Sequence, residues 1–85
     1  MTQSTTLAQV RTLLAEACAI APTRIEDEGR LRSYGLDSVR AIELAVMIED
    51  VFGVRVKMEA LDRLKLATVR DLADFVDRER ALVGS

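Results

Sequence analysis

The chain has 85 residues, 49% hydrophobic and 31% charged, and fourteen acids against twelve bases give a net charge of −2. That length holds one domain, the composition is globular rather than disordered, and so balanced a charge leaves no generic nucleic-acid footprint. With no histidine and Cys18 as the single cysteine, an internal disulfide and a serine-hydrolase site are excluded, and a metal site of its own is not expected.

The first helix is predicted over about residues 7–21. Thr6-x-x-Gln9 has the form of a capping box, Leu7, Val10, Leu14, Ala17 and Ala21 keep helical spacing, and Pro22 supplies the stop. Cys18 lies near the apolar stripe and reads as a buried, inert thiol. A connection of fifteen residues follows, 22–36, with apolar anchors at Ile25, Leu31, Tyr34 and Leu36. Loops of that length in compact domains are functional or packed by their own side chains. The acids Glu26-Asp27-Glu28 within it read as solvation.

The second helix is predicted over 37–52, with Asp37 or Ser38 as N-cap and Gly53 closing it. At 100° per residue, Ala41, Leu44, Ala45, Ile48, Val51 and Phe52 share one arc, the expected core stripe. Val39, Ile42 and Val46 point the other way, among Glu43, Glu49 and Asp50. A chain this short can hardly bury both faces. The second stripe, beside a serine, is therefore a surface kept for something else.

Val54-Arg55-Val56 alternates like a strand but lacks a partner for a sheet. A short third helix over 57–64 would use Met58, Leu61 and Leu64, and Thr68 would cap a fourth over 68–82, with Val69, Leu72, Phe75 and Val76 facing in. Val83-Gly84-Ser85 should fray. The fold class is thus all-α: one domain over 1–85, a four-helix bundle with a short third helix and a long loop between the first two. Charge is uneven along it. Residues 37–52 hold four acids against Arg40, whereas 53–66 hold Arg55, Lys57, Arg63 and Lys65 against Glu59 and Asp62. No apolar run reaches membrane-spanning length and no signal pattern opens the chain. It reads as a soluble, cytoplasmic, monomeric protein, and its start at Met1 and end soon after the last helix read as free-standing.

Gly35-Leu36-Asp37-Ser38 followed by an apolar residue resembles the attachment motif of the acyl carrier protein family. The approach Leu31-Arg32-Ser33-Tyr34, the pair Glu43-Leu44, the close Glu49-Asp50-Val51-Phe52-Gly53, and Val54 with Val56 match as well. So do Thr68-Val69, Asp71-Leu72-Ala73 and Phe75-Val76, which extends the resemblance over about residues 7–80. It implies a fold of acyl-carrier type. On its residues alone Ser38 reads as a helix cap, and nothing in the chain activates it as a nucleophile. The resemblance implies instead that a phosphopantetheinyl transferase moves 4′-phosphopantetheine from coenzyme A onto Ser38. A helix N-terminus favours that phosphate ester. The arm would carry acyl groups as thioesters, and Asp37 would help hold the magnesium serving the transfer.

The resemblance also implies that Val39, Arg40, Ile42, Glu43, Val46, Glu49 and Asp50 face partner enzymes of acyl ligase, acyltransferase or ketosynthase type. Ala41, Ala45 and Ile48 on the second helix, with Met58 and Leu61 on the third, would line an acyl pocket. The protein would be a carrier, not a catalyst. Arg40 and the basic segment 55–65 depart from the acidic pattern of fatty acid carriers, and point to a dedicated route such as polyketide assembly. An aminoacyl or peptidyl carrier is the nearer alternative. An unmodified helical interaction module is the farther one.

Overall fold

A computed structural model describes the backbone of residues 2–64 and 66–83, with side chains except those of residues 2–4, 58, 61, 64 and 83. In chain order it contains α1 (Thr2–Cys18), 3-10 turns at Pro22–Arg24 and Leu31–Tyr34, α2 (Ser38–Phe52), α3 (Met58–Leu64) and α4 (Val69–Val83). Among the described residues there is no strand, only an isolated bridge between Arg30 and Thr68. Val54-Arg55-Val56 is an irregular link with Val54 buried. The long helices α1, α2 and α4 pack on one another, and the seven-residue α3 lies against α2.

The core is aliphatic because the sequence offers little else. Val10 and Leu14 of α1, Leu44 and Ile48 of α2, and Val69, Leu72 and Val76 of α4 are fully buried, with Leu31 of the loop between them. Phe75 and Phe52 are half-buried at its edge. Val51 departs from the helical-wheel expectation. It is exposed, although Phe52 of the same turn packs against the core.

α1 begins five residues before the capping-box reading would allow and ends three before Pro22's neighbour Ala21. Thr6 is not a cap. It is buried in mid-helix, where its hydroxyl donates to Asp77 Oδ1 at 2.7 Å and lies 3.5 Å from Arg80 Nη1. Arg80 in turn stacks over the Phe52 ring at 5.6 Å, so one polar group joins all three long helices. The stop is Ala19 rather than Pro22. Ala19 adopts φ 57°, its N–H donates to Glu16 O (3.4 Å), and Ile20 N–H donates to Ala15 O (3.0 Å). This pair of bonds is a Schellman termination, which usually takes glycine at the left-handed position. Ala21 is consequently exposed and outside the helix. Ala19→Gly is expected to stabilise the fold by about 0.5–1 kcal/mol, read as a rise of a few degrees in Tm, because the left-handed strain exceeds the added chain entropy.

The loop between α1 and α2 is held by the start of α4. Val69 N–H donates to Gly29 O (3.0 Å) and Arg70 N–H to Asp27 O (2.8 Å), which satisfies two of that helix's initial donors. Leu31 N–H donates to Ala67 O at 2.9 Å, and Arg30 Nη1 to Leu66 O at 2.8 Å. The solvation reading of the loop acids is overturned for two of them. Asp27 pairs with Arg11 of α1, and Glu28 with Arg70 of α4. Thr68 caps α4 reciprocally: its hydroxyl accepts from Asp71 N–H (3.1 Å) and its own N–H donates to the Asp71 carboxylate (3.2 Å).

Candidate functional site

The second 3-10 turn ends at Gly35, whose φ of 88° turns the chain toward α2. Leu36 then sinks into the core and fixes the approach, leaving Asp37 and Ser38 exposed at the helix mouth. Asp37 is the N-cap. Its backbone is extended, its carboxylate accepts from Arg40 N–H at 2.8 Å, and its carbonyl accepts from Ala41 N–H at 2.9 Å. Ser38 is therefore the first helical residue rather than the cap, and its hydroxyl stands at the positive end of a fifteen-residue helix.

The two faces of α2 separate as its sequence spacing requires. Ala41, Leu44, Ala45 and Ile48 are buried. Val39, Ile42 and Val46 are 65%, 50% and 52% exposed, a row of large apolar side chains that the fold leaves in water. Glu43 and Asp50 are exposed beside them. Scattered apolar residues on a surface need no explanation, but three in one row beside an exposed serine form a patch.

Two residues expected on that face also have partners within the fold. Arg40 is half-buried, and its Nη1 donates to Cys18 O at 2.9 Å across the end of α1. A cation is mildly unfavourable in the first turn of α2, but there it meets the negative end of α1, where a cation is favoured. Glu49 is half-buried, and its carboxylate accepts from Val56 N–H at 2.9 Å. It thereby fastens the α2–α3 link to α2. Removing such an acceptor strands a donor: Glu49→Ala should cost about 1–3 kcal/mol in urea unfolding, whereas Asp50→Ala should stay within about 0.5. Neither contact carried a sequence signal, since each joins residues whose spacing along the chain follows no helical or strand period.

Cys18 is buried, and burial pushes its thiol pKa up against the opposing pull of Arg40. That is the inert thiol expected from its place on α1. Of the five residues read as an acyl pocket, Ala41, Ala45 and Ile48 lie within the core. The side chains of Met58 and Leu61 lie outside the described residues. Among the described residues, no cluster of three or more His, Cys, Asp or Glu is placed to hold a metal ion, and no helix is long and apolar enough to cross a membrane.

Residues 8–76 match the family described as "Phosphopantetheine attachment site". The chain is 30% identical over 82 residues to the acyl carrier protein of Thermosynechococcus vestitus, spanning 95% of this chain and 99% of that protein. The chain belongs to the acyl carrier protein family. It is also 29% identical over 86 aligned positions to acyl carrier protein 2 of Ralstonia nicotianae, with both chains fully covered. A third likeness is to the non-reducing polyketide synthase pkiA of Emericella nidulans, 36% identical over 70 residues. That match covers 82% of this chain but only 3% of the synthase. Acyl carrier proteins are carriers rather than catalysts, work with synthase and transferase enzymes, and hold 4′-phosphopantetheine covalently. The mouth of α2 fits that group. An exposed hydroxyl at a helix N-terminus can bear a phosphodiester, and around Gly35 there is open space where a side chain would otherwise stand.

Proposed function

We propose that this carrier bears the phosphopantetheine arm on Ser38 and presents it to partner enzymes along the exposed row Val39, Ile42 and Val46. The observation that carries the reading is the conjunction of these two features on one helix. The serine is exposed at the positive end of α2, and the apolar row beginning one residue later has no cover within the fold. Residues 1–85 act as a single acyl carrier domain, with α3 completing a four-helix bundle.

When the arm is bound, its terminal thiol holds acyl groups as thioesters. The chain's own residues position and recognise. Asp37 caps the first turn that carries Ser38, and its exposed carboxylate would share the magnesium that a transferase brings. Ser38 supplies the oxygen that forms the new bond to phosphorus, while the adenosine bisphosphate half of coenzyme A leaves. Glu43 and Asp50 steer basic partner surfaces toward the row, and the three apolar side chains hold the complex. Weak, reversible docking suits a carrier that must visit several enzymes, because tethering already raises the local concentration of cargo.

An acyl chain withdrawing into the helices would enter beside Ala41, Ala45 and Ile48 of α2, with Met58 and Leu61 of α3 as the further lining the family resemblance implies. The cations at 55–65 and the likeness to part of a polyketide synthase support a specialised pathway of polyketide type over primary fatty acid synthesis. Acyl ligases, acyltransferases and ketosynthases are the partner classes that such a route requires.

Replacing Val39, Ile42 and Val46 together by Ser tests the docking face. The variant should fold like the parent and accept phosphopantetheine from a transferase at least about tenfold more slowly at limiting carrier, since buried apolar anchors at interfaces cost more than ~1 kcal/mol each. Loading at the parent rate would contradict the assignment of this face.

A further inference from the structure

A cleft of about 340 Å³ opens between the end of α1 and the second 3-10 turn, lined by Ile20, Arg24, Ser33 and Tyr34. Both of its walls are tied to the turn that carries Ser38. On one side, the chain runs from Tyr34 to Ser38 in four residues, a span of at most about 14 Å even when fully extended. On the other, Arg40 Nη1 grips Cys18 O at 2.9 Å, which pins the first turn of α2 to the carbonyl two residues before Ile20. The walls are themselves fixed. Ile20 N–H is bonded to Ala15 O at 3.0 Å, and Tyr34 Oη accepts from Glu26 N–H at 2.9 Å while its ring fills the space where a side chain at Gly29 would stand.

We propose that the phosphopantetheine arm, once on Ser38, folds back into this cleft. The inference rests on Ser38 as the attachment position and adds to it a resting site on the carrier itself. The lining holds both apolar and hydrogen-bonding groups, as the arm does. Half-buried Ile20 offers an apolar wall for the geminal methyls next to the phosphodiester. The Ser33 hydroxyl can donate and accept, the Tyr34 Oη that accepts from Glu26 N–H has its O–H to donate to an amide carbonyl, and the exposed Arg24 guanidinium adds further donors. Each contact is weak in water, but a covalent tether supplies millimolar local concentrations, so modest contacts suffice to populate a bound form. The arm in this cleft leaves Val39, Ile42 and Val46 clear, so docking and storage do not compete for one surface.

The test uses isotope-labelled full-length chain, before and after loading, with the gain of one phosphopantetheine confirmed by intact mass. The inference expects amide shifts at Ile20, Arg24, Ser33 and Tyr34 comparable to those at 37–39. It also expects nuclear Overhauser contacts between the arm's geminal methyls and Ile20 or the Tyr34 ring. Ser33→Asp, a change at an exposed position that places charge of the phosphodiester's own sign in the cleft, should reduce the shifts at Ile20 and Arg24 by at least half. Loaded protein with shifts confined to residues 36–42 and no such contacts would overturn the arm site while leaving the attachment intact. Unchanged shifts in the Ser33→Asp protein would also overturn it. Failure to gain the mass at all would instead overturn the attachment reading, and this inference with it.

Discussion

Ser38→Ala is expected to abolish phosphopantetheine loading completely while leaving stability within about 0.5 kcal/mol of the parent. The separation of effects follows from the cap geometry. The N-cap is Asp37, whose carboxylate accepts from Arg40 N–H, and Ser38 is the first residue of the helix rather than its cap. Asp37→Ala should show the converse stability effect, a loss of about 1 kcal/mol and a fall in Tm of about 4–8 °C. Were Ser38 instead the structural cap of an unmodified helix, Ser38→Ala would carry that thermal cost and Asp37→Ala would not. Intact mass and thermal unfolding on the two variants separate these cases.

The largest stability effect is expected from the opposite side of the same helix. Leu44 is fully buried in the core, and Leu44→Ala should cost about 2–5 kcal/mol through lost burial and the cavity left behind. Native stability for 85 residues is only about 4–13 kcal/mol, so this one change removes a large share of it and should shift the urea midpoint sharply downward. Val46→Ala, two residues along and facing water, should leave the midpoint nearly unmoved. An equal cost at both positions would mean that the exposed row is held by the fold and is not available to partners.

The helical periodicity of α2 is readable because two apolar rows on opposite sides of one helix cannot both enter one small core. The same reasoning separated Val39, Ile42 and Val46 from Leu44 and Ile48 without a structure. The cap of α4 was legible at Thr68, since a hydroxyl followed three residues later by Asp71 is a local pattern. What failed was local chemistry overruled by distant partners. Thr6 with Gln9 has the form of a cap, yet the hydroxyl is consumed by Asp77, seventy-one residues away. Pro22 looks like a helix stop, but Ala19 has already ended α1 in a conformation that no residue type there announced. Glu49 and Arg40 look like members of a solvated, partner-facing helix surface. Each instead bonds a backbone group across the fold, Glu49 at Val56 and Arg40 at Cys18, and only tertiary placement shows it. Glu43 and Asp50 are the fully exposed charges beside the apolar row.

The most direct measurement is the intact mass of the wild-type chain after incubation with coenzyme A, magnesium and a broad-specificity phosphopantetheinyl transferase, with fragmentation to place any added group. The account predicts the gain of one phosphopantetheine, located on Ser38. A group placed on another residue, or no gain with any transferase that loads related carriers, would contradict it.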